Sequence, residues 1–317
     1  YTDGSQRDVT RWTVFEAEDP ASVTIDEHAA KVTVTRRGRH IVVARYLGWV
    51  IPTELFVPLG DDAVDLSTQP RNSFIDDEIL RTLGNLRVLP SPMADDATFH
   101  RRVTLDLAGR LPSPQEVDAY VASTDADKRE RLIDRLLASE AFVESWAMRL
   151  GRLLRLRSQY DKNKITITPT TVRTYHGWIT DQLRKGTGYN QIARALLTAT
   201  GNSEAVGPAG FYNTAEDALL QTEFMTEVFL GSRMRCANCH NHPLDKWTQD
   251  DFHGLAAIFA KVTRGTTVRV SPLGKTVHPQ TGQPAQMRIP GVRFLPTDTK
   301  DGRAALAEWV TSEDNPY

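Results

Sequence analysis

The spacing of apolar residues changes between residues 58 and 74, and that change limits the possible folds more than any other feature. Between residues 9 and 58 apolar and polar residues alternate, with β-branched runs at 32–35 and 41–44 separated by the turn at 36–39. Alternation of period two is typical of strands with one buried face. From residue 74 onward apolar residues recur every three or four positions, as in helices packed on a core. A small β module followed by a helical body is therefore predicted.

Breaks in this pattern divide the chain into four predicted segments. Residues 60–71 are polar and contain Pro70, which is typical of a linker. The β module then occupies residues 1–59, and its short strands suggest a sandwich. A helical domain covers residues 72–262. Residues 263–317 contain five prolines before residue 300 and are predicted to form an extended arm followed by one helix.

Several helices can be placed within the body. The first is expected to begin near Phe74 and to stop at Gly84-Asn85. A helix start is predicted at Ser113-Pro114-Gln115-Glu116, where the serine can cap the first turn and the glutamate can reach back to it. The other predicted helices cover residues 99–107, 128–138, 139–156, 171–184, 191–198, 215–230, 250–262 and 301–311.

Charge and hydropathy exclude two classes of partner. The chain has 38 Lys plus Arg against 40 Asp plus Glu, a formal net charge of −2. Such a balance creates no overall field that would favour nucleic acid or an anionic membrane. Apolar runs are too short to span a bilayer, so no membrane span is predicted. The polar start without an initiator Met suggests a piece excised from a longer polypeptide.

The chemistry of the chain is concentrated in one five-residue motif. Its only two cysteines are Cys236 and Cys239, and His240 follows them directly. C-x-x-C-H is the attachment signature of c-type haem. Two cysteines three positions apart can bond the two vinyl groups of one haem, while the next residue offers an imidazole to the iron. One covalent haem c on Cys236 and Cys239, with His240 as proximal ligand, is therefore predicted.

Three other interpretations of the cysteines remain open. They could form a redox-active disulfide, although no thioredoxin-like pattern surrounds them. They could bind zinc together with His240 and His242, although tetrahedral sites usually draw on two separate segments. They could also be buried, unreactive thiols.

Other side chains are candidates for supporting roles. Five aromatic residues could form an apolar wall beside a haem or belong to the ordinary core: Phe224, Phe229, Trp247, Phe252 and Phe259. Three basic residues could neutralise haem propionates or lie solvated at the surface: Arg233, Arg235 and Lys246. Arg102, Asp106 and Asp134 could be read as an acid–base group, but caps and ion pairs are the commoner roles of such residues.

Two stretches resemble known families. The segments YTDGS (1–5), DVT (8–10), VTV (32–34) and FVP (56–58) resemble the group 2 bacterial immunoglobulin-like family, with the first strands missing. The segments RRVTLDLAGRLP (101–112), RLIDRLLAS (131–139), FLG (229–231), RCANCHNHPLD (235–245), WTQDDF (247–252) and GLAA (254–257) resemble the planctomycete-type cytochrome domain, a former domain of unknown function, over about residues 72–262.

These resemblances carry several expectations. They imply an exported protein, periplasmic or extracellular, that combines a partial immunoglobulin-like module with a cytochrome-type helical domain. Immunoglobulin-like modules of this kind act as adhesive or spacing units, so an association with polysaccharide or the cell surface is possible. The segments LAEWV (306–310) and DNPY (314–317) resemble the opening of the domain that usually follows, which implies that the polypeptide continues.

Several residues are candidates for the second axial ligand. His278 is the first candidate, because the family resemblance reaches its His-Pro pair and the arm could fold over a haem. Met287 and His176 follow in that order. His242 is too close to His240 to reach the opposite face of the same iron, and a hydrogen bond to a propionate or to a ligand suits it better. His253 is disfavoured because the related family usually has an aromatic residue there.

The resulting functional prediction is one-electron transfer, directly to a redox partner protein or as the redox module of a fused enzyme. A haem enzyme with an open distal site, acting on peroxide or a small oxidant, is the first alternative. The second is a scaffold or binding module without haem, in which the Cys/His cluster holds zinc or a disulfide.

Overall fold

A computed structural model of the chain describes residues 4–26, 31–47, 49–156, 159–161, 164–243 and 245–316. The residues Tyr1 to Asp3, Leu244 and Tyr317, quoted above for the resemblances, lie outside the described residues. Two compact units are distinguished: Tyr1–Met93 with Leu244–Lys246, and Ala94–Pro243 with Trp247–Tyr317. The predicted boundary at residues 60–71 lies inside the first unit and stays a prediction.

The first unit contains antiparallel strands. They are β1 (Val14–Ala17), β2 (Val23–Asp26), β3 (Lys31–Val34), β4 (Gly38–Tyr46) and β5 (Trp49–Val57). Strands β1, β4 and β5 form one sheet in the order β1-β4-β5, and β2 pairs with β3 in a second sheet. The β4–β5 register places Tyr46 opposite Trp49 and Gly38 opposite Val57. Val23 and Val42 are the buried apolar side chains of these strands. An antiparallel N-terminal region is thus confirmed.

Helix α1 (Phe74–Leu86) belongs to the same unit and corrects the predicted stop at Gly84-Asn85. Arg87 adopts a left-handed conformation with φ of 55° and its amide donates to Gly84 O, so the helix ends there instead. The left-handed residue that closes a helix is usually glycine. Gly84 lies in the helix interior, where a Cβ would be 3.6 Å from Leu66 Cδ1.

The second unit begins with four helices: α2 (Asp96–Ala108), α3 (Pro114–Ala122), α4 (Lys128–Leu137) and α5 (Glu140–Leu153). The predicted start of α3 is confirmed, since Ser113 Oγ accepts from Glu116 N at 3.3 Å and Glu116 accepts from Ser113 N at 2.7 Å. These helices bury a small cluster of Ala108, Tyr120, Leu132 and Leu136.

The later elements of this unit are β6 (Gln159–Asp161), β7 (Lys164–Ile167), α6 (Pro169–Arg184), α7 (Tyr189–Thr198), β8 (Gly201–Asn202), α8 (Ala218–Phe229) and α9 (Gln249–Ala260). The main core draws on α6, α7, α8, α9 and a 3₁₀ turn at residues 207–213. Side chains that are completely buried here include Leu196, Phe211 and Phe259. Each predicted helix of this stretch is confirmed to within three residues at each end.

The segment predicted as an arm contains β9 (Thr267–Val268), β10 (Arg288–Ile289), β11 (Arg293–Phe294) and α10 (Arg303–Val310). Helix α9 packs closely on β10, because a Cβ at Gly254 would lie 2.3 Å from Arg288 Cβ. A glycine is therefore required at this crossing. None of the helices in the described ranges has the length and hydropathy to cross a bilayer.

Candidate functional site

The Cys/His motif lies on a short 3₁₀ helix, Met234–Asn238, between α8 and α9. The amides of Cys239 and His240 both donate to Cys236 O at 3.3 Å, which continues the turn through the motif. Cys236 and Cys239 are exposed free thiols. His240 is exposed as well. These three residues, here called the rim, present the motif to solvent. The interpretation as buried, unreactive thiols is therefore wrong.

Beneath the rim lies a buried cluster of Met234, Ala237, Trp247 and Phe252, here called the floor. Trp247 is 1% exposed, and its indole Nε1 donates to Ser232 Oγ at 2.6 Å. Residues of the rim and floor alternate within one turn, because Met234 and Ala237 point inward while Cys236 and Cys239 point outward. The same turn therefore exposes both thiols and packs Met234 and Ala237 into the floor.

The imidazole of His240 is oriented by its own neighbour. Its Nδ1 lies 2.8 Å from the carbonyl oxygen of Asn241. A carbonyl can only accept a hydrogen bond, so Nδ1 carries the proton and the lone pair resides on Nε2. This is the tautomer that a metal-binding histidine adopts when a backbone carbonyl holds its other nitrogen.

His242 connects the motif to its surroundings. Its Nε2 donates to Arg233 O at 3.1 Å, and its backbone amide donates to Trp247 O at 2.8 Å. Because Nε2 carries the proton, the lone pair of the neutral ring resides on Nδ1. In the part of the chain that the structure describes, which includes Cys236, Cys239, His240 and His242, no three Cys, His, Asp or Glu side chains converge as metal ligands. The zinc interpretation stays a hypothesis.

Residues at the start of helix α9 are hydrogen-bonded to the motif. Thr248 and Asp251 form a capping box that fixes the start of the helix. Gln249 N then donates to Asn241 Oδ1 at 3.1 Å. On the other side of the motif, Asn238 O accepts from His253 Nε2 at 2.9 Å. Asn238 and Asn241 bracket Cys239 and His240, so α9 holds both ends of this segment.

Asp251, in the first turn of α9, is hydrogen-bonded to Arg288 in β10 and to Gly291 just after it. It is 3% exposed, and its Oδ1 accepts from Arg288 Nε at 2.7 Å and from Gly291 N at 2.8 Å. Burial alone would raise the pKa of Asp251, but these bonds and those from Thr248 outweigh it and lower the pKa below its usual value. The carboxylate is thus ionised at neutral pH and is fully used by structural contacts.

The structure brings His278 next to His253, and the two rings meet edge to face with centroids 5.2 Å apart. His278 is 7% exposed. Its Nδ1 accepts from Gln280 N at 3.3 Å, and its Nε2 lies 3.1 Å from Asp250 Oδ1, at ion-pair distance but outside hydrogen-bond geometry. Burial lowers the pKa of His253 below its usual value.

The other candidates for the second ligand lie elsewhere. Met287 is buried in the main core, and His176 is exposed on α6. Of the five predicted wall aromatics, Trp247 and Phe252 belong to the floor, while Phe224, Phe229 and Phe259 belong to the main core.

The charged candidates are distributed unevenly. Arg235 is 83% exposed and its Nε lies 3.9 Å from the carboxylate of Glu223 on α8. Burial raises the pKa of Glu223, although Arg235 opposes that shift. Arg233 is exposed beside the motif, and Lys246 falls in the first unit. Arg102, Asp106 and Asp134 are exposed on α2 and α4.

Sequence reasoning missed the residues that hold the motif. Asn238 and Asn241 bracket the second cysteine and the histidine, and Gln249 and His253 reach them from α9. One signal was available: Thr248-Gln249-Asp250-Asp251 has the spacing of a capping box, which would have placed the first turn of α9 directly after the motif.

Comparison with known proteins agrees with the resemblance at the level of the family. Neither the curated proteins nor the solved structures contain a match to this chain. The model of one family, PSCyt2, described as "Protein of unknown function (DUF1549)", matches residues 74–264, more than half of the chain. The chain therefore belongs to the PSCyt2 (DUF1549) family.

Proposed function

We propose that this protein binds one covalent haem c and transfers single electrons. The observation that carries the proposal is the hydrogen bond from His240 Nδ1 to Asn241 O at 2.8 Å. It leaves Nε2 as the metal-binding nitrogen directly after two exposed thiols. A ligand imidazole fixed in this tautomer is what a C-x-x-C-H haem site requires.

The residues of the motif fit this group. Cys236 and Cys239 would hold it through thioether bonds, and His240 would bind its iron from one side. When bound, the haem supplies a one-electron iron couple. The chain contributes anchoring and orientation: Asn241 holds the ligand ring, His242 ties the motif to Arg233, and the apolar floor keeps water from beneath the turn.

The wider setting is part of the proposal. We infer export to the periplasm or the cell exterior, because thioether attachment takes place there. The two antiparallel sheets of the first unit support an immunoglobulin-like module that associates with polysaccharide or the cell surface. The redox partner would be a separate protein or a domain fused to this one.

A haem enzyme with an open distal position is the second candidate. It is favoured by the surroundings of His278, whose buried ring packs against His253 and accepts at Nδ1 from Gln280 N. Burial of Met287 points the same way. A haem with only His240 as protein ligand would be open to peroxide or another small oxidant.

The test is expression in a periplasm together with a cytochrome c maturation system. We expect a Soret band that survives denaturation and an intact mass increased by one haem. The double variant Cys236→Ala/Cys239→Ala is the matched control and should carry no covalent haem. A wild-type chain without a Soret band under these conditions contradicts the proposal and leaves a scaffold or binding module without haem.

The visible spectrum of the loaded protein separates the two candidates. A six-coordinate, low-spin spectrum supports electron transfer, whereas a high-spin spectrum that changes on addition of cyanide supports the open-site enzyme. The variant His240→Ala should lose the proximal ligand while keeping both thioether anchors. Unchanged spectra in that variant would contradict the role of His240.

A further inference from the structure

We propose that His253 and His278 form an imidazole pair that fixes the backbone of the motif at Asn238, and that His278 is not an iron ligand. The inference rests on the proposed haem attachment for its spectroscopic test but not for its structural one. It reassigns a histidine that the sequence suggested as the second axial ligand.

The first step is the contact between His253 and the motif. His253 Nε2 donates to Asn238 O at 2.9 Å, and Asn238 directly precedes Cys239. The same carbonyl accepts a longer bond, 3.4 Å, from Gln249 Nε2. His253 is 3% exposed, so water cannot replace this bond at low cost. The buried imidazole therefore fixes the carbonyl that sets the direction of the chain into Cys239.

The second step is the contact between the two imidazoles. The His278 ring lies 5.2 Å from the His253 ring at an interplanar angle of 63°. This edge-to-face arrangement is a favourable packing geometry for rings. His253 is thus held between Asn238 on one side and His278 on the other.

The third step concerns the two ring nitrogens of His278. Nδ1 accepts from Gln280 N, so the proton of the neutral ring resides on Nε2, which lies 3.1 Å from Asp250 Oδ1 but outside hydrogen-bond geometry. Binding iron through Nε2 would require that proton to leave and the ring to turn from Asp250. Binding through Nδ1 would break the bond to Gln280.

The backbone around His278 also restricts its movement. His278 N donates to Gln283 O and His278 O accepts from Gly282 N, both at 2.9 Å. Ala285 N donates to Thr276 O at 2.9 Å, and Val277 bridges to Pro284. These bonds close a compact hairpin over residues 276–285. His278 is therefore part of a closed loop that packs on α9 through His253.

The spectroscopic test uses the loaded full chain. The variant His278→Phe keeps a ring in the same place but offers no ligand nitrogen. We expect its visible spectrum and spin state to match those of the wild type, as in the control His176→Phe at an exposed position. A change from low-spin to high-spin in His278→Phe alone would overturn the proposal.

The structural test needs no haem. In the apo full chain, hydrogen exchange is measured at the amides of Cys239 and His240, which donate to Cys236 O. The variant His253→Leu should raise these rates about five-fold, which corresponds to the loss of one hydrogen bond of about 1 kcal/mol. His253→Gln can place an amide donor at the Nε2 position and should restore slow exchange.

The outcomes of the two tests are separable. Equal exchange in His253→Leu and wild type would overturn the positioning role. Failure of haem attachment in the wild type would remove the proposed function, while the exchange result would still decide the role of His253. Circular dichroism of each variant confirms that the helical body is folded before exchange is compared.

Discussion

The rim and the floor consist of neighbouring residues with opposite exposure. Cys236, Cys239 and His240 are exposed, while Met234 and Ala237 of the same turn are completely buried. The rim contributes little to the core, because its side chains contact solvent. The floor provides apolar burial and is joined to α9. The difference shows that reactivity and stability are separated within seven residues, so each can be changed by mutation without the other.

The largest effect on stability should come from Trp247. Its side chain is 1% exposed and packs in the floor. Trp247→Ala should lower the free energy of unfolding by about 3–5 kcal/mol, because it removes a large buried ring and leaves a cavity. Urea unfolding followed by circular dichroism measures this. A decrease in the free energy of unfolding of less than about 1 kcal/mol would contradict a stabilising role of the floor.

Asp251 should have the next largest effect. It joins the start of α9 to Arg288 and Gly291. Asp251→Asn should cost about 2–3 kcal/mol, since it removes a buried charge from its guanidinium partner and turns an accepting oxygen into a donor beside the Gly291 amide. Asp250→Asn, at an exposed neighbouring position, is the matched control in the same unfolding experiment and should change stability far less.

The same carboxylate predicts a pH dependence of the free energy of unfolding. Because the pKa of Asp251 is lowered in the folded state, its stabilising effect is complete above the pKa of the unfolded state, near 3.8. It is lost as pH falls through the folded pKa. Unfolding free energies measured between pH 5 and pH 2.5 should therefore fall less steeply in Asp251→Asn than in wild type. Parallel pH curves would contradict this role.

The smallest effect on stability should come from the rim. Cys236→Ser/Cys239→Ser should change the unfolding free energy by less than about 0.5 kcal/mol, because both side chains are exposed. The same variant should abolish reaction with a thiol reagent, which should label two cysteines in the wild type without denaturant. A large loss of stability here would show that the rim also carries structure.

The sequence predicted those parts of the fold that depend on nearby residues. The start of α3 followed from Ser113 and Glu116, three positions apart, and their reciprocal bonds are present. The stop at Gly84 was wrong because glycine only permits a helix to end. The end was decided by Arg87, which takes the left-handed conformation one turn later.

For the candidate site, the sequence was enough to find the Cys/His motif, but not the residues that hold it in place. Cys236, Cys239 and His240 are adjacent in sequence, so the spacing alone indicated their joint chemistry. His253 meets Asn238 across fifteen positions, and His278 meets His253 across a further hairpin. No spacing rule connects such residues. Their contacts depend on how α9 docks against the 3₁₀ turn and against residues 276–285.

The sequence by itself determined a β region followed by helices, and one place where two thiols and an imidazole lie close together, because periodicity and short spacings are properties of the local chain. Only the tertiary structure decided that His253 donates to Asn238 O across fifteen positions, and that the ring of His278 packs against that of His253. The physical reason is that a buried contact needs groups from distant positions of the chain, and only packing brings them together.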